Sequence, residues 1–195
     1  TILKAKTHRN LVIFLIAFMF YNDGIHTVIM MATIYGKDEL GLKNETLMGT
    51  LLLVQFIGIG GALLFSKMSK SFGTKRILIL VLILWLGILC YAYIITSALD
   101  FWMLGIAVGF VLGGSQAISR SFYGAMIPVD ESAEFFGFYS VFAKFSAICG
   151  PFVFGIIRQI TGTSRLAILS LVGFFIIGII LLCFVKENTE PLQLG

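Results

Sequence analysis

Apolar residues fall into six long runs along this chain, and each run contains few charged side chains. A stretch of about 20 apolar residues is long enough to cross a bilayer as a helix. Little sequence is left for anything else, so residues 1–195 are predicted to form a single all-α membrane domain. Its six transmembrane helices, here called spans one to six, are predicted at residues 10–35, 46–66, 76–98, 101–123, 135–158 and 166–185.

Span one is interrupted near its centre by the polar sequence Tyr21-Asn22-Asp23-Gly24. A carboxylate at the bilayer centre costs roughly 2.5–3.5 kcal/mol on insertion scales, so it persists where it faces protein or a wet cavity. Gly24 weakens the helix at the same place. Glycine-interrupted spans with polar residues near the midplane mark binding sites in secondary transporters. The pattern therefore favours solute transport over a simple membrane anchor.

The spans differ in polarity. Spans three and six have no charged or amide side chain between residues 77 and 99 or between residues 166 and 185, whereas each of the other spans carries at least one inside its apolar run. Because polar residues within a membrane face the bundle interior or a cavity, we expect spans one, two, four and five to line a cavity and spans three and six to face lipid. Spans three and six hold equivalent places in two triplets of helices, which predicts a three-plus-three inverted repeat.

Glycines predict where helices pack and where they bend. Gly105, Gly109 and Gly113 lie on one face of span four, where they allow a neighbouring backbone to approach closely. In span five, Gly150-Pro151 removes a helical hydrogen bond and predicts a kink. A kink of this kind fits a gating hinge and static packing equally well.

Composition and charge agree with a membrane protein. Apolar residues make up 58% of the chain and charged residues 12%, with a mean hydropathy of +1.01. The net charge of +4 is explained by topology, without nucleic acid as a partner, because its basic clusters precede span one and link spans two and three. Cytoplasmic loops carry such an excess, so both termini are predicted to be cytoplasmic. Arg158 and Arg165, in an outer loop, disagree with this assignment but are fewer.

Soluble and catalytic chemistry has little support in the sequence. The three cysteines lie inside apolar spans without metal-ligand spacing, and no catalytic triad or phosphate-binding loop is recognisable. Neither an enzyme nor a bound metal or cofactor is predicted. The chain begins with Thr1 and lacks the charged-then-apolar pattern of a secretory signal, as expected of a fragment of a longer protein.

The basic link between spans two and three resembles the cytoplasmic signature found in each half of major facilitator superfamily transporters. The residues that match the signature are Phe72, Gly73, Lys75 and Arg76. The residues that depart from it are Ser66, Lys70 and Ser71, which replace the usual Gly, acid and Arg.

Other segments resemble one branch of that superfamily more closely. Residues 20–24, 32–36, 113–121 and 134–141 are similar to the C-terminal half of the vacuole effluxers, the autophagy-related amino-acid effluxers and their bacterial relatives. The resemblance covers nearly the whole chain. It implies a twelve-helix transporter with rocker-switch alternating access, of which these spans are helices seven to twelve, in a bacterial cell membrane rather than a vacuolar one. The fungal members export amino acids from the vacuole.

Candidate site residues follow from polarity and from this resemblance. The predicted substrate and coupling residues are Asn22, Asp23, His26, Gln55, Gln116, Tyr139 and Lys144. The predicted cytoplasmic gate consists of Gly73, Lys75, Arg76 and Arg120. Each has a structural alternative. Asp23 either binds a proton or a substrate ammonium, caps the second half of a broken helix, or pairs with Lys144, while His26 either relays a proton or only packs.

The predicted function is the C-terminal half of a secondary transporter that moves a small solute, with an amino acid as one candidate. Protonation of Asp23 is expected to be linked to the inward–outward change. The expected partners are the solute, the lipid bilayer, and either the missing N-terminal half or a second copy of the chain. Two alternatives remain open at this stage, a non-transporting membrane scaffold and a half-size transporter that acts as a homodimer.

Overall fold

A computed structural model describes residues 2–127 and 132–186, and within them it contains only helices and their connections. The predicted domain's residues 1, 128–131 and 187–195 lie outside the described residues. The eight helices are α1 (Ile2–Leu40), α2 (Asn44–Phe72), α3 (Thr74–Ile94), α4 (Ala98–Gly124), α5 (Ser132–Phe145), α6 (Cys149–Thr161), α7 (Ser164–Ser170) and α8 (Val172–Phe184). Span five consists of α5 and α6, and span six of α7 and α8.

Six helical segments are long and apolar enough to cross a membrane, which confirms the six-span all-α prediction. Their ends extend the predicted bounds by several residues in spans one and two, because glycine ends those helices. Gly41 and Gly73 follow α1 and α2 with φ of 61° and 92°, and Gly162 follows α6 with φ of 73°. Only glycine adopts such angles without strain, so these residues stop the helices.

The packing of the spans follows the order expected of a three-plus-three repeat. Span four packs against spans two and three, and span one packs against spans five and six. Spans one and four are therefore the two central helices of this bundle. Span five contacts span one through both of its helices, α5 and α6.

Spans three and six each have a buried and an exposed face. Trp85 of span three is fully buried, donates from Nε1 to Ser115 Oγ at 2.8 Å, and stacks on Phe175 of span six at 5.5 Å. The opposite faces expose Ile83 and Ile180, each 51% accessible. An apolar helix can pack inward on one side and face lipid on the other. We therefore expect only the exposed face of each of these two spans to contact lipid.

Two spans are interrupted. Span five breaks between Phe145 and Cys149, which confirms the predicted kink. Pro151 explains the position of this break, because proline has no N–H to donate to the carbonyl four residues earlier and its ring clashes with that carbonyl. Span six bends at Leu171, which the sequence pattern does not predict. There Ser170 Oγ donates to the Ala167 carbonyl at 2.6 Å, a local bond that competes with regular helix.

Candidate functional site

Asp23 of span one lies at the break in span five. Its side chain is buried, with 3% of its surface exposed, and both carboxylate oxygens accept from the Gly150 N–H at 2.9 Å. Gly150 is the second residue of α6, where backbone N–H groups have no partner within the helix. A negative charge is stabilised at such a helix start. The geometry is that of a carboxylate from one span capping the second half of another.

Close packing at Gly150 keeps this contact short. A Cβ atom at position 150 would overlap Thr27 Oγ1 and lie 2.8 Å from Asp23 Oδ1. Thr27 lies one turn after Asp23 in span one, and its Oγ1 donates to the Asp23 carbonyl at 2.7 Å. This bond fixes the position of the Thr27 side chain. Glycine at position 150 therefore permits the start of α6 to approach the carboxylate.

The residue before Asp23 binds the other side of the same break. Asn22 Nδ2 donates to Ser146 Oγ at 2.5 Å, and Ser146 Oγ donates to the Ala143 carbonyl at 2.8 Å. Asn22 and Ser146 are both buried. Two consecutive residues of span one thus hold both edges of the interruption in span five.

Three predicted site residues meet around a small cavity between spans one, four and five. Its volume of about 10 Å³ is near the minimum that holds one water molecule. The polar lining includes the Tyr21 hydroxyl, 2.7 Å from Ser119 Oγ. The cavity is lined by Phe18, Tyr21, Asn22, Ile25, Ser115, Gln116, Ser119 and Tyr139. Asn22, Gln116 and Tyr139 are the predicted members of this group.

Aromatic side chains close this cavity toward the N-terminal end of span one. Phe18 stacks on Tyr139 with ring centroids 4.3 Å apart, and Tyr123 lies 5.0 Å from the same ring. Tyr123 also donates its hydroxyl hydrogen to the Phe135 carbonyl at 2.6 Å. We call Phe14, Phe18, Phe122, Tyr123, Phe136 and Tyr139 the aromatic layer. It joins α5 to spans one and four.

The remaining candidate substrate residues lie elsewhere. Gln55 is exposed on α2 and Lys144 is exposed on α5. Among the described residues the ion pairs involve Asp38 and Glu39, and none joins Asp23 to Lys144. His26 is partly buried, and no hydrogen bond to Asp23 is present in the described part of the chain. Their roles in substrate binding or coupling stay predictions.

The predicted gate residues occupy one end of the bundle. Lys75 Nζ donates to the carbonyl oxygens of Cys183 and Val185, at 3.0 and 2.6 Å. A cation at the C-terminal end of α8 is favourable because carbonyl groups are unpaired there. This contact fixes the start of span three beside the end of span six. Arg76 and Arg120 are exposed at this end.

A polar network at the end of the bundle opposite the predicted gate was not predicted from the sequence. Glu39 Oε1 accepts from Ser164 N at 2.5 Å and from Thr163 Oγ1 at 2.8 Å, so it caps α7. Arg165 lies 3.4 Å from Glu39, and Arg158 forms an ion pair with Asp38. Arg158 and Arg165 entered the topology prediction, but no partner was predicted for either of them. The only sequence feature that pointed to this network was the presence of acidic and basic residues in segments predicted at the same end of the bundle.

The chemistry of the Asp23 contact is proton-sensitive. The carboxylate acts only as an acceptor when it is ionised, and it gains a donor when it is protonated. Within the described residues, no group of three His, Cys, Asp or Glu side chains is placed to hold a metal ion.

Comparisons with known proteins agree with this architecture. The family model described as "Vacuole effluxer Atg22 like" matches residues 1–191. YxiO of Bacillus subtilis, described as an uncharacterized MFS-type transporter, is 38% identical over 190 residues, which are 97% of this chain and 44% of that protein. Autophagy-related protein 22-1 of Aspergillus niger is 28% identical over 85% of this chain and 29% of its own length.

A third relative, autophagy-related protein 22-1 of Penicillium rubens, is 30% identical over 85% of this chain and 30% of its own length. The chain thus spans less than half the length of these relatives. This coverage fits one six-helix half of the larger fold. The match over residues 1–191 shows that the chain belongs to the family of vacuole effluxer Atg22-like proteins.

Proposed function

We propose that this chain is the C-terminal half of a secondary transporter that moves a small solute across a membrane by alternating access. The observation that carries the proposal is the Asp23 carboxylate, buried within span one and bound to the first turn of α6. A buried intramembrane acid is costly, and it marks proton or substrate pathways in membrane proteins. Its partner belongs to an interrupted span, which is the element that transporters use at their binding sites.

The coupling step is protonation of Asp23. Hydrogen bonds to an ionised acceptor are roughly twice as strong as those between neutral groups. Adding a proton therefore weakens the contact with Gly150 N–H and the attraction to the start of α6. The outer half of span five is then less firmly held to span one. Proton binding and the inward–outward change are linked in this way, because any ligand shifts the conformational equilibrium toward the state that it binds better.

The solute binds beside this contact. Asn22 and Gln116 each offer a side-chain carbonyl and an NH₂ group, and Tyr139 offers a hydroxyl, around the cavity between spans one, four and five. Such groups suit a zwitterion, so an amino acid is the first candidate. The cavity is too small for one in this structure. Opening of the aromatic layer on the proposed cytoplasmic side would enlarge it.

The other half of the transporter covers the exposed faces of spans two and five. Phe56 and Leu63 of α2 are 72% and 70% exposed, and Phe152 and Ile160 of α6 are 68% and 78% exposed. The greater length of the relatives supports an N-terminal six-helix half as the partner of these two spans. In this arrangement both termini of the chain are cytoplasmic and the membrane is that of a bacterial cell.

The test is Asp23→Asn in the complete transporter, reconstituted in vesicles with an imposed pH gradient. This change keeps the side-chain volume and mimics the neutral acid. We expect loss of pH-driven accumulation of labelled amino acids, with exchange of solute across the membrane partly retained. Glu45→Gln, which changes an exposed acid at the start of α2, is the matched control and should retain accumulation.

Full pH-driven accumulation by the Asp23→Asn protein would show that Asp23 is not the coupling residue. The scaffold alternative is tested separately by Gln116→Cys in a background without other cysteines. A transporter should expose this thiol to a charged maleimide in water. Complete absence of both labelling and transport would favour a scaffold.

A further inference from the structure

A groove between span one and the outer half of span five has no role in the site described above. Its volume is about 560 Å³, within the range of about 300–1,000 Å³ of small-molecule pockets. One wall comes from α1 and the other from α6. The residues that matter here are Met31, Ile34, Phe154, Gly155, Arg158 and Gln159.

The groove lies on the other side of the Asp23 contact from the small cavity. The cavity uses residues 18–25 of α1, before and around Asp23, whereas the groove begins at Met31, two turns beyond it. On span five the cavity uses Tyr139 of α5, and the groove uses α6 and Gly162, which follows it. The contact between Asp23 and Gly150 therefore lies between the small cavity and the groove.

The lining of the groove is apolar along its walls and cationic at one end. Met31, Ile34 and Phe154 form the apolar part. Arg158 uses Nη2 to bind Asp38, and its side chain remains 44% exposed. A guanidinium carries five N–H donors and binds carboxylates in a two-point geometry, so one ion pair does not exhaust it. The neighbouring Gln159 amide adds a donor and an acceptor.

We propose that this groove is an outer binding site for the solute, in which Arg158 binds its carboxylate group and the apolar walls hold its side chain. The proposal rests on the proposed transport function. The occupant is a carboxylate-bearing solute with an apolar portion, because the groove pairs one cationic end with apolar walls. Asp23 then separates this outer site from the inner cavity.

Gly155 provides the means to test the groove directly. A Cβ at position 155 would meet no atom within 4 Å, so a larger side chain can fill the groove without disturbing the backbone. Gly173 on span six has the same open surroundings and does not line the groove. Gly155→Leu and Gly173→Leu are therefore a matched pair of blocking and control variants.

The first experiment measures protection of a thiol in the groove. In the complete transporter, with Cys90, Cys149 and Cys183 replaced by Ser, Gly155→Cys is treated with a charged maleimide on both sides of the membrane. A mixture of the common amino acids other than cysteine should slow labelling, and a mixture of their amides, which lack the carboxylate, should not. Adding Arg158→Gln should abolish the protection.

Three results would overturn the proposal. The thiol could fail to react with the charged reagent, as it would if the second half or lipid covered the groove. It could react without protection by the amino acids. Protection could also be equal with acids and amides, which would remove the role of the carboxylate.

The second experiment measures transport from the outer side. Arg158→Gln and Gly155→Leu should raise the KM for uptake about tenfold, corresponding to about 1.4 kcal/mol, with a smaller change in maximal rate. Asp38→Asn breaks the same ion pair and leaves the guanidinium available, so it should not raise KM. Gly173→Leu should not raise it either.

These outcomes separate the two proposals. If the unmodified transporter moves no amino acid at all, the amino-acid part of the proposed function fails. If it does transport amino acids, and Gln116→Ala impairs transport while Arg158→Gln and Gly155→Leu leave the outer KM unchanged, only the outer site fails. An equal increase in KM from Asp38→Asn and Arg158→Gln would assign the effect to the lost ion pair and would also overturn the site.

Discussion

Two contacts occupy equivalent places in the two triplets of this bundle, span two on span four and span five on span one, and they are built differently. Span two meets span four through glycine backbone. A Cβ at Gly113 would overlap the Gly58 carbonyl oxygen, and a Cβ at Gly61 would overlap that of Phe110. Span five meets span one through the polar side chains of Asn22 and Asp23.

The difference indicates which contact can change during function. Helices that touch through glycine are held by van der Waals contact over their backbones, and no titratable group takes part. The contact of span five depends on a carboxylate whose charge a proton removes. Span five is also interrupted where it meets span one, whereas α2 and α4 are continuous there. We infer that spans two and four move as a unit and that span five is the adjustable partner.

The strongest test of the glycine contact is Gly61→Ala. The added methyl group must displace the backbone at Phe110, because no flexible side chain is available to give way. We expect a loss of roughly 1–3 kcal/mol in unfolding free energy, in the range of overpacked cores. The measurement is the midpoint of unfolding of the purified protein in detergent.

The neighbouring Gly60 supplies the control for this prediction. A Cβ there would meet nothing within 4 Å, so Gly60→Ala should leave the midpoint unchanged or raise it slightly, because alanine favours helix. Equal loss of stability from both changes would mean that span two does not pack on span four through this face.

Gly150→Ala applies the same test to span five and should have a smaller effect. Here the new methyl group overlaps Thr27 Oγ1, a side-chain atom that can be removed. We expect a loss of about 1–2 kcal/mol from overpacking. Thr27→Ala in the same protein should restore part of it. Gly155→Ala, in the same helix but with open surroundings, is the control. Failure of Thr27→Ala to restore stability would contradict the packing seen here.

The sequence predicted more of the glycine contact than of the polar one. The spacing of Gly105, Gly109 and Gly113 on one helix face was enough to predict close packing, since helical period alone determines that face. Pro151 likewise predicted the break. Neither pattern identifies the residue that approaches from another span, because such pairing depends on how whole helices pack. The Asp23–Gly150 contact therefore stayed one of several alternatives.

The polar network at the end of the bundle opposite the predicted gate shows the same limit. More than 100 residues of sequence separate Asp38 and Glu39 from Arg158 and Arg165. The two pairs meet because spans one and five end, and span six begins, at the same end of the bundle. The candidate solute residues were partly predicted. Asn22, Gln116 and Tyr139 share a cavity, whereas polarity alone could not show that Gln55 and Lys144 lie on other faces.

The bond between Asn22 and Ser146 should contribute less than either glycine contact. Double-mutant cycles for hydrogen bonds between membrane helices average about 0.6 kcal/mol. We expect Asn22→Ala and Ser146→Ala to show a coupling energy of that size in unfolding measurements. The pair Ser140→Ala and Asn22→Ala is a control, because Ser140 is exposed on α5 and donates to the Phe136 carbonyl of the same helix. Coupling as large for the control pair would mean that the cycle reports movement of α5.

The smallest expected effect concerns Lys144. A structural lock between Lys144 and Asp23 was one alternative for these residues, and removing one partner of a buried ion pair typically costs about 3–5 kcal/mol. Lys144 is exposed, and Asp23 is bound to Gly150 instead. Lys144→Gln should therefore change the unfolding midpoint little, and a cycle with Asp23→Asn should give a coupling energy within about 0.5 kcal/mol of zero, as for independent sites. A larger coupling energy would indicate that the two charges approach each other in another state of the transporter. In that case the contact of span five with span one would switch between an amide and an ammonium partner, and Lys144 would belong to the coupling mechanism with Asp23.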